Sequence, residues 1–149
     1  MKQKEIELEF LIVGEAAEAV NGKLYMMGGG WNQIQSAVFP TIARCGIAVG
    51  ISVYTKERRE TPLRIVYSND AKTNEKNPNV LSLELQGQVV SGVPRPGLTL
   101  PGVQRVMFVV NGNFPVPSAG KYRIEVFLPD GESKSVMFEA LQIAAPIVN

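Results

Sequence analysis

Apolar and polar side chains alternate with a period of two along most of this chain, and no window of about eleven residues sustains the i, i+3, i+4, i+7 stripe of an amphipathic helix. Ile6, Leu8, Phe10 and Ile12 alternate with Glu7, Glu9, Leu11 and Val13, which predicts a first strand that begins half exposed and becomes buried on both faces. Asn21-Gly22, followed by Lys23-Leu24-Tyr25-Met26-Met27, predicts a tight hairpin, because both central residues of such a turn adopt positive φ. This turn is expected to set the register of the first two strands. Gly28-Gly29-Gly30 then interrupts the pattern, and Trp31, Gln33, Gln35, Ala37 and Phe39 resume it up to Pro40, implying a bulge or corner.

Residues 41–55 are uncharged apart from Arg44 and rich in Ile and Val, as expected of a long central strand that ends at Lys56-Glu57-Arg58-Arg59-Glu60. Leu63, Ile65 and Tyr67 mark a further strand, residues 68–79 a solvated loop, and residues 80–90 a strand with one wet face, since Leu81, Leu83 and Leu85 oppose Ser82, Glu84 and Gln86. In residues 103–110, Val103, Arg105, Met107 and Val109 share one face and Val106, Phe108 and Val110 the other. The last hairpin runs from Tyr122, Ile124, Val126 and Leu128 through Pro129-Asp130-Gly131 to Val136, Phe138 and Ala140. Eight or nine strands joined by short turns predict an all-β fold, a single antiparallel β-sandwich of Ig-like or jelly-roll type, with a closed β-barrel as the alternative.

Composition narrows the chemistry. The 149 residues suit one domain, 1–149, whose size allows a core without disulfide or metal staples. With 45% hydrophobic residues and a net charge of +1, the chain is neither disordered nor a polycationic nucleic-acid coat. It contains no histidine and one cysteine, which removes His-based nucleophile systems, His-ligated metals, disulfide frameworks and Cys-rich metal sites. No cofactor or metal is expected. Glu5, Glu7 and Glu9 stand where the apolar segment of an export leader would begin, and the long uncharged stretch 24–43 carries three glycines and a proline. Neither an export signal nor a membrane span is expected, and the lone cysteine fits a reducing, cytoplasmic setting.

Two segments resemble known families. Ser118-Ala119-Gly120-Lys121-Tyr122 resembles the tyrosine corner of immunoglobulin domains, with Ser118 at the position of the usual Asp and Ile124 where the second cysteine would stand. That resemblance implies a buried Tyr122 whose hydroxyl bonds to backbone a few residues upstream. Residues 15–34, with Asn21-Gly22-Lys23-Leu24-Tyr25 and Gly28-Gly29-Gly30-Trp31, together with Phe114-Pro115 and the segment up to Tyr122, resemble an uncharacterised family of small bacterial β-sandwich proteins. This family brings no activity, ligand or partner with it.

Several residues invite a functional reading that a plainer one outweighs. Gly28-Gly29-Gly30 could cradle a phosphate, but a strand and not a helix follows, so a structural bulge is expected. Glu7 and Glu9 share a strand face at a spacing that glycosidase carboxylates use, yet two glutamates near a chain end are the ordinary wet face of an edge strand. Cys45 is expected in the core, and Lys56, Arg58 and Arg59, interleaved with Glu57 and Glu60, in a solvated turn. Trp31 with Tyr25, Met26 and Met27 could form an aromatic platform for sugars or bases, but burial at the end of the fold is expected.

Residues 91–102 are harder to explain as packing, because Val93, Arg95, Leu98 and Leu100 are scattered among Pro94, Pro96 and Pro101. Such a loop either covers a sheet edge or offers its apolar residues to another molecule. Val93, Arg95, Leu98 and Leu100 are therefore the candidate partner-binding residues. The expected function is a non-catalytic protein-interaction or assembly module that takes a protein partner or self-associates as a homo-oligomer, without nucleic acid or membrane. A small-ligand or carbohydrate-binding β-sandwich is the alternative.

Overall fold

The computed structural model describes residues 4–69, 80–94 and 96–145. It is all-β, with ten strands and no helix among the described residues. In chain order these are β1 (Ile6–Gly14), β2 (Ala16–Val20), β3 (Lys23–Met27), β4 (Gln33–Ser36), β5 (Thr41–Val53), β6 (Arg59–Asn69), β7 (Ser82–Ser91), β8 (Gln104–Val116), β9 (Gly120–Phe127) and β10 (Ser133–Gln142). They form a three-stranded sheet ordered β1-β5-β8, a five-stranded sheet ordered β4-β10-β9-β6-β7, and the two-stranded hairpin β2-β3.

Three details differ from the expectation of eight or nine antiparallel strands. β4 pairs with β10 in parallel, so the larger sheet is mixed. The 31–39 pattern yields only the four residues of β4, because its alternation belongs partly to bends that lead to Pro40. The Asn21-Gly22 turn, with φ of 51° and 73°, joins β2 to β3 and leaves β1 outside its register, since the chain changes sheets between Gly14 and Ala16. Of the expected 68–79 loop, residues 70–79 lie outside the described residues.

The core lies between the facing sides of the two larger sheets. β5 contributes Cys45, Ile47, Val49, Ile51 and Val53, and the opposite sheet contributes Leu63, Ile65, Tyr67, Tyr122, Ile124, Val126 and Phe138. Each aliphatic side chain buried in this way stabilises the fold by about 1.5–3 kcal/mol relative to exposure. The rings of Tyr67, Tyr122 and Phe138 stack at 5.2–6.3 Å in near-parallel planes. The Tyr122 hydroxyl donates to the Ser118 carbonyl at 2.6 Å and accepts from the Ser118 N–H at 3.2 Å, which is the local geometry the Gly120-Lys121-Tyr122 sequence predicts.

β5 is buried on its other face as well, and the reason is legible in its alternate residues Gly46, Ala48, Gly50 and Ser52. A Cβ on Gly46 would lie 2.6 Å from the Ala17 nitrogen, and one on Gly50 would run into the Phe10 ring. The register shifts between Leu8 and Phe10, and past that shift Phe10 stands opposite Gly50 and covers it. The small stripe thus lets the hairpin and an aromatic ring seat directly on the sheet.

Candidate interaction surface

The connection between β7 and β8 begins at Gly92, whose φ is +70° and on which a Cβ would run into the Glu57 carbonyl. Gln104 at the start of β8 clamps this base: its side-chain carbonyl accepts from the Gly92 N–H at 2.9 Å, and its amide donates to the Thr55 carbonyl at 3.1 Å. From that anchor the proline-rich segment projects toward the β2-β3 turn. Together they enclose a concavity of about 430 Å³, lined by Val93, Leu98, Leu100, Val106 and Met107 on one side and by Ala19, Asn21 and Gly22 on the other.

Val93 is 49% exposed and Leu98 66% exposed, while Leu100 is half-buried. Three of the four candidate residues therefore share one concave surface, and Arg95 lies outside the described residues. Val20, Val90 and Val103 are exposed in the same hairpin, strand and loop segments. Among the described lining residues Arg105 carries the only charge. The Ser91 hydroxyl, at the end of β7, is buried without a hydrogen-bond partner among the described residues.

Sequence reasoning missed the hairpin's share in this surface and the position of β8. The 103–110 pattern separates its two faces correctly, but nothing in it states that β8 ends its sheet. Leu83 and Leu85 of β7 lie on the side that faces the core yet are 41% and 37% exposed, because the sheet of β8 has three strands against five and leaves them uncovered.

Glu7 accepts from the Tyr54 hydroxyl at 2.9 Å; Glu9 accepts from the Ser52 hydroxyl at 2.5 Å and lies 3.6 Å from Arg105. The hydrogen bond to Glu7, with some desolvation, raises the Tyr54 phenol above its ordinary value. Cys45 is fully buried, and burial pushes its thiol up to about 12, which removes its nucleophilicity near neutral pH. In the 56–60 turn Arg58 pairs with Glu60 at 2.8 Å and Arg59 with Glu5 at 2.6 Å, so its cations are largely neutralised.

Gly28 and Gly30 take positive φ, and the Gly30 N–H donates to the Val13 carbonyl at 2.9 Å, tying the glycine corner to the free edge of β1. Trp31 is half-buried with its ring edge on Phe138 at 5.3 Å, whereas Tyr25 and Met27 stand exposed on β3. Among the described residues no three His, Cys, Asp or Glu side chains converge as a metal site would require, and no helix is long and apolar enough to cross a membrane.

Among curated proteins and among solved structures, nothing matches the chain. Residues 9–140 match the model of a family described as a family of unknown function, DUF6941. That span covers β2 through β9 and most of β1 and β10, including both the hairpin and the proline-rich loop, so the chain belongs to the DUF6941 family.

Proposed function

We propose that this chain is a non-catalytic protein-interaction or assembly module, working in the cytoplasm, with the three-stranded and five-stranded sheets as the two layers of a sandwich. The observation that carries this reading is the convergence of Val93, Leu98 and Leu100 with the hairpin tip and Met107 on one concave surface. Apolar side chains on a proline-stiffened loop lose little entropy on binding, and a contiguous exposed apolar surface is characteristic of contact sites. The near-balanced charge of the chain and the pairing of its 56–60 cations offer no footing for nucleic acid.

The test is the double substitution Leu98→Ser with Leu100→Ser. A contact loop keeps the melting temperature of the chain and loses association, read by light scattering and by cross-linked capture from the native cell. A loop that only covers a sheet edge loses melting temperature and leaves association untouched, and that result would overturn the reading.

The small-ligand alternative draws on the 430 Å³ volume, which suits a compact ligand. No aromatic ring lines the concavity among the described residues, so a sugar would find no stacking platform there.

A further inference from the structure

The outer face of the five-stranded sheet carries a notch of about 790 Å³, which shares no lining residue with the concavity beside the proline-rich segment. Its volume falls within the roughly 300–1,000 Å³ of ordinary ligand sites. The notch comes from a mismatch of strand lengths. β6 pairs with β7 from Arg59 to Ser68, whereas β9 reaches only as far as Phe127, which stands opposite Arg64. Beyond Phe127 the chain turns away through Pro129, so Pro62 has no β9 residue beside it. Proline suits that position, because it has no N–H to leave unpaired.

Arg64 stands directly across from both Gln86 and Phe127, and Pro62, two residues before it, across from Gln88. These five side chains therefore share one sheet face, alternating with the buried Leu63, Ile65 and Val126. The Arg64 guanidinium lies 4.4 Å over the Phe127 ring, which holds the flat group in place. Its Nε is 3.9 Å from the Glu84 carboxylate, near enough to balance the charge and too far to occupy an N–H. Among the described residues no hydrogen bond engages the guanidinium or the Gln86 amide. Gln88 donates to Glu60 at 3.0 Å and keeps its carbonyl oxygen for another partner.

Charge decides what fits. Glu60, Glu84, Glu125 and Asp130 lie around the notch against the two cations Arg58 and Arg64. The bonds from Arg58 and Gln88 hold the Glu60 carboxyl below its usual range, so it stays ionised at neutral pH. An anionic ligand is repelled by this surplus of carboxylates, and a cationic one meets the guanidinium. An extended peptide finds no free backbone donor at Pro62. What remains is a neutral ligand that both donates and accepts. Neighbouring hydroxyls on a sugar ring match the planar forks of a guanidinium and an amide, and the C–H face of such a ring packs on apolar rings such as Pro62 and Pro129.

We propose that this notch binds a neutral saccharide, with Arg64 and Gln86 donating to its hydroxyls and Gln88 accepting from one. The inference goes beyond the interaction-module reading and does not depend on it, because the two surfaces have no residue in common.

The experiment titrates the full chain with maltotriose, cellotriose and tri-N-acetylchitotriose as neutral probes and with trigalacturonate as an acidic one, by calorimetry and proton–nitrogen NMR. At least one neutral trisaccharide is expected to bind and to move the side-chain amide signals of Gln86 and Gln88, while trigalacturonate leaves them in place. Arg64→Ala and Gln86→Ala, both at exposed positions, are each expected to weaken binding about tenfold with the melting temperature little changed, the loss of one good hydrogen bond. Arg64→Lys is expected not to restore binding, since an ammonium has no planar fork. Leu98→Ser with Leu100→Ser is expected to leave saccharide binding intact, which separates this site from the loop surface. The proposal is overturned if no neutral trisaccharide binds at millimolar concentration, or if trigalacturonate binds as well as the neutral probes. It is overturned equally by a bound sugar that shifts only signals away from the notch or that survives Arg64→Ala.

Discussion

Replacing Tyr122 by Phe removes one oxygen from a side chain that is 1% exposed and leaves its ring in place. The ring keeps its stacking on Phe138 at 5.2 Å and on Tyr67 at 5.8 Å, so the apolar contribution is unchanged. What is lost is the pair of bonds to Ser118, the hydroxyl's donation to the carbonyl at 2.6 Å and its acceptance from the N–H at 3.2 Å. One such bond is worth about 1 kcal/mol net, and the orphaned Ser118 groups would add to that if they were dry. Ser118 is half-buried, so water re-satisfies part of them and the expected cost is about 1–2 kcal/mol. For a chain of this size that lowers the melting temperature by roughly 3–6 °C in calorimetry or a circular-dichroism melt. Tyr122→Ala also forfeits the ring and is expected to cost about 3–5 kcal/mol. A Tyr122→Phe melt that matches the parent, or one that falls as far as Tyr122→Ala, would refute the division between hydroxyl and ring.

Gly50→Ala places a methyl group in the Phe10 ring and is expected to destabilise by about 1–3 kcal/mol in urea titrations; Phe10→Ala makes room, so the double variant should fall short of the sum of the two single costs. Strict additivity would show that the ring does not seat on Gly50. Cys45, with its thiol held near 12 by burial, is expected to resist alkylation at pH 8 until the chain is unfolded by denaturant, and fast labelling of the native protein, followed by mass spectrometry, would contradict its placement in the core.

The alternation of apolar and polar residues and the turn-forming residues are local properties, and they are enough to establish an all-β chain, the long strand around Ile47 to Val53 and the Asn21-Gly22 and Pro129-Asp130-Gly131 turns, whereas the buried Tyr122 follows from the resemblance of residues 118–122 to a tyrosine corner. Each of these depends on side chains within a few residues of one another, or on turn geometry that only certain residues adopt. The scatter of Val93, Leu98 and Leu100 among prolines leaves an edge cover and a contact loop equally open, and only the fold exposes Val93 and Leu98 while half-burying Leu100. What the pattern could not contain is which strands lie side by side. A period of two reads the same for a central strand and an edge strand, so β5, covered on both faces, and β8, open along one side, look alike in sequence. The parallel pairing of β4 with β10, the seating of the hairpin on Gly46, and the meeting of the hairpin tip with the proline-rich loop are long-range contacts between segments distant in the chain. Tertiary structure decided those, because burial of a strand's second face depends on what the rest of the chain lays against it.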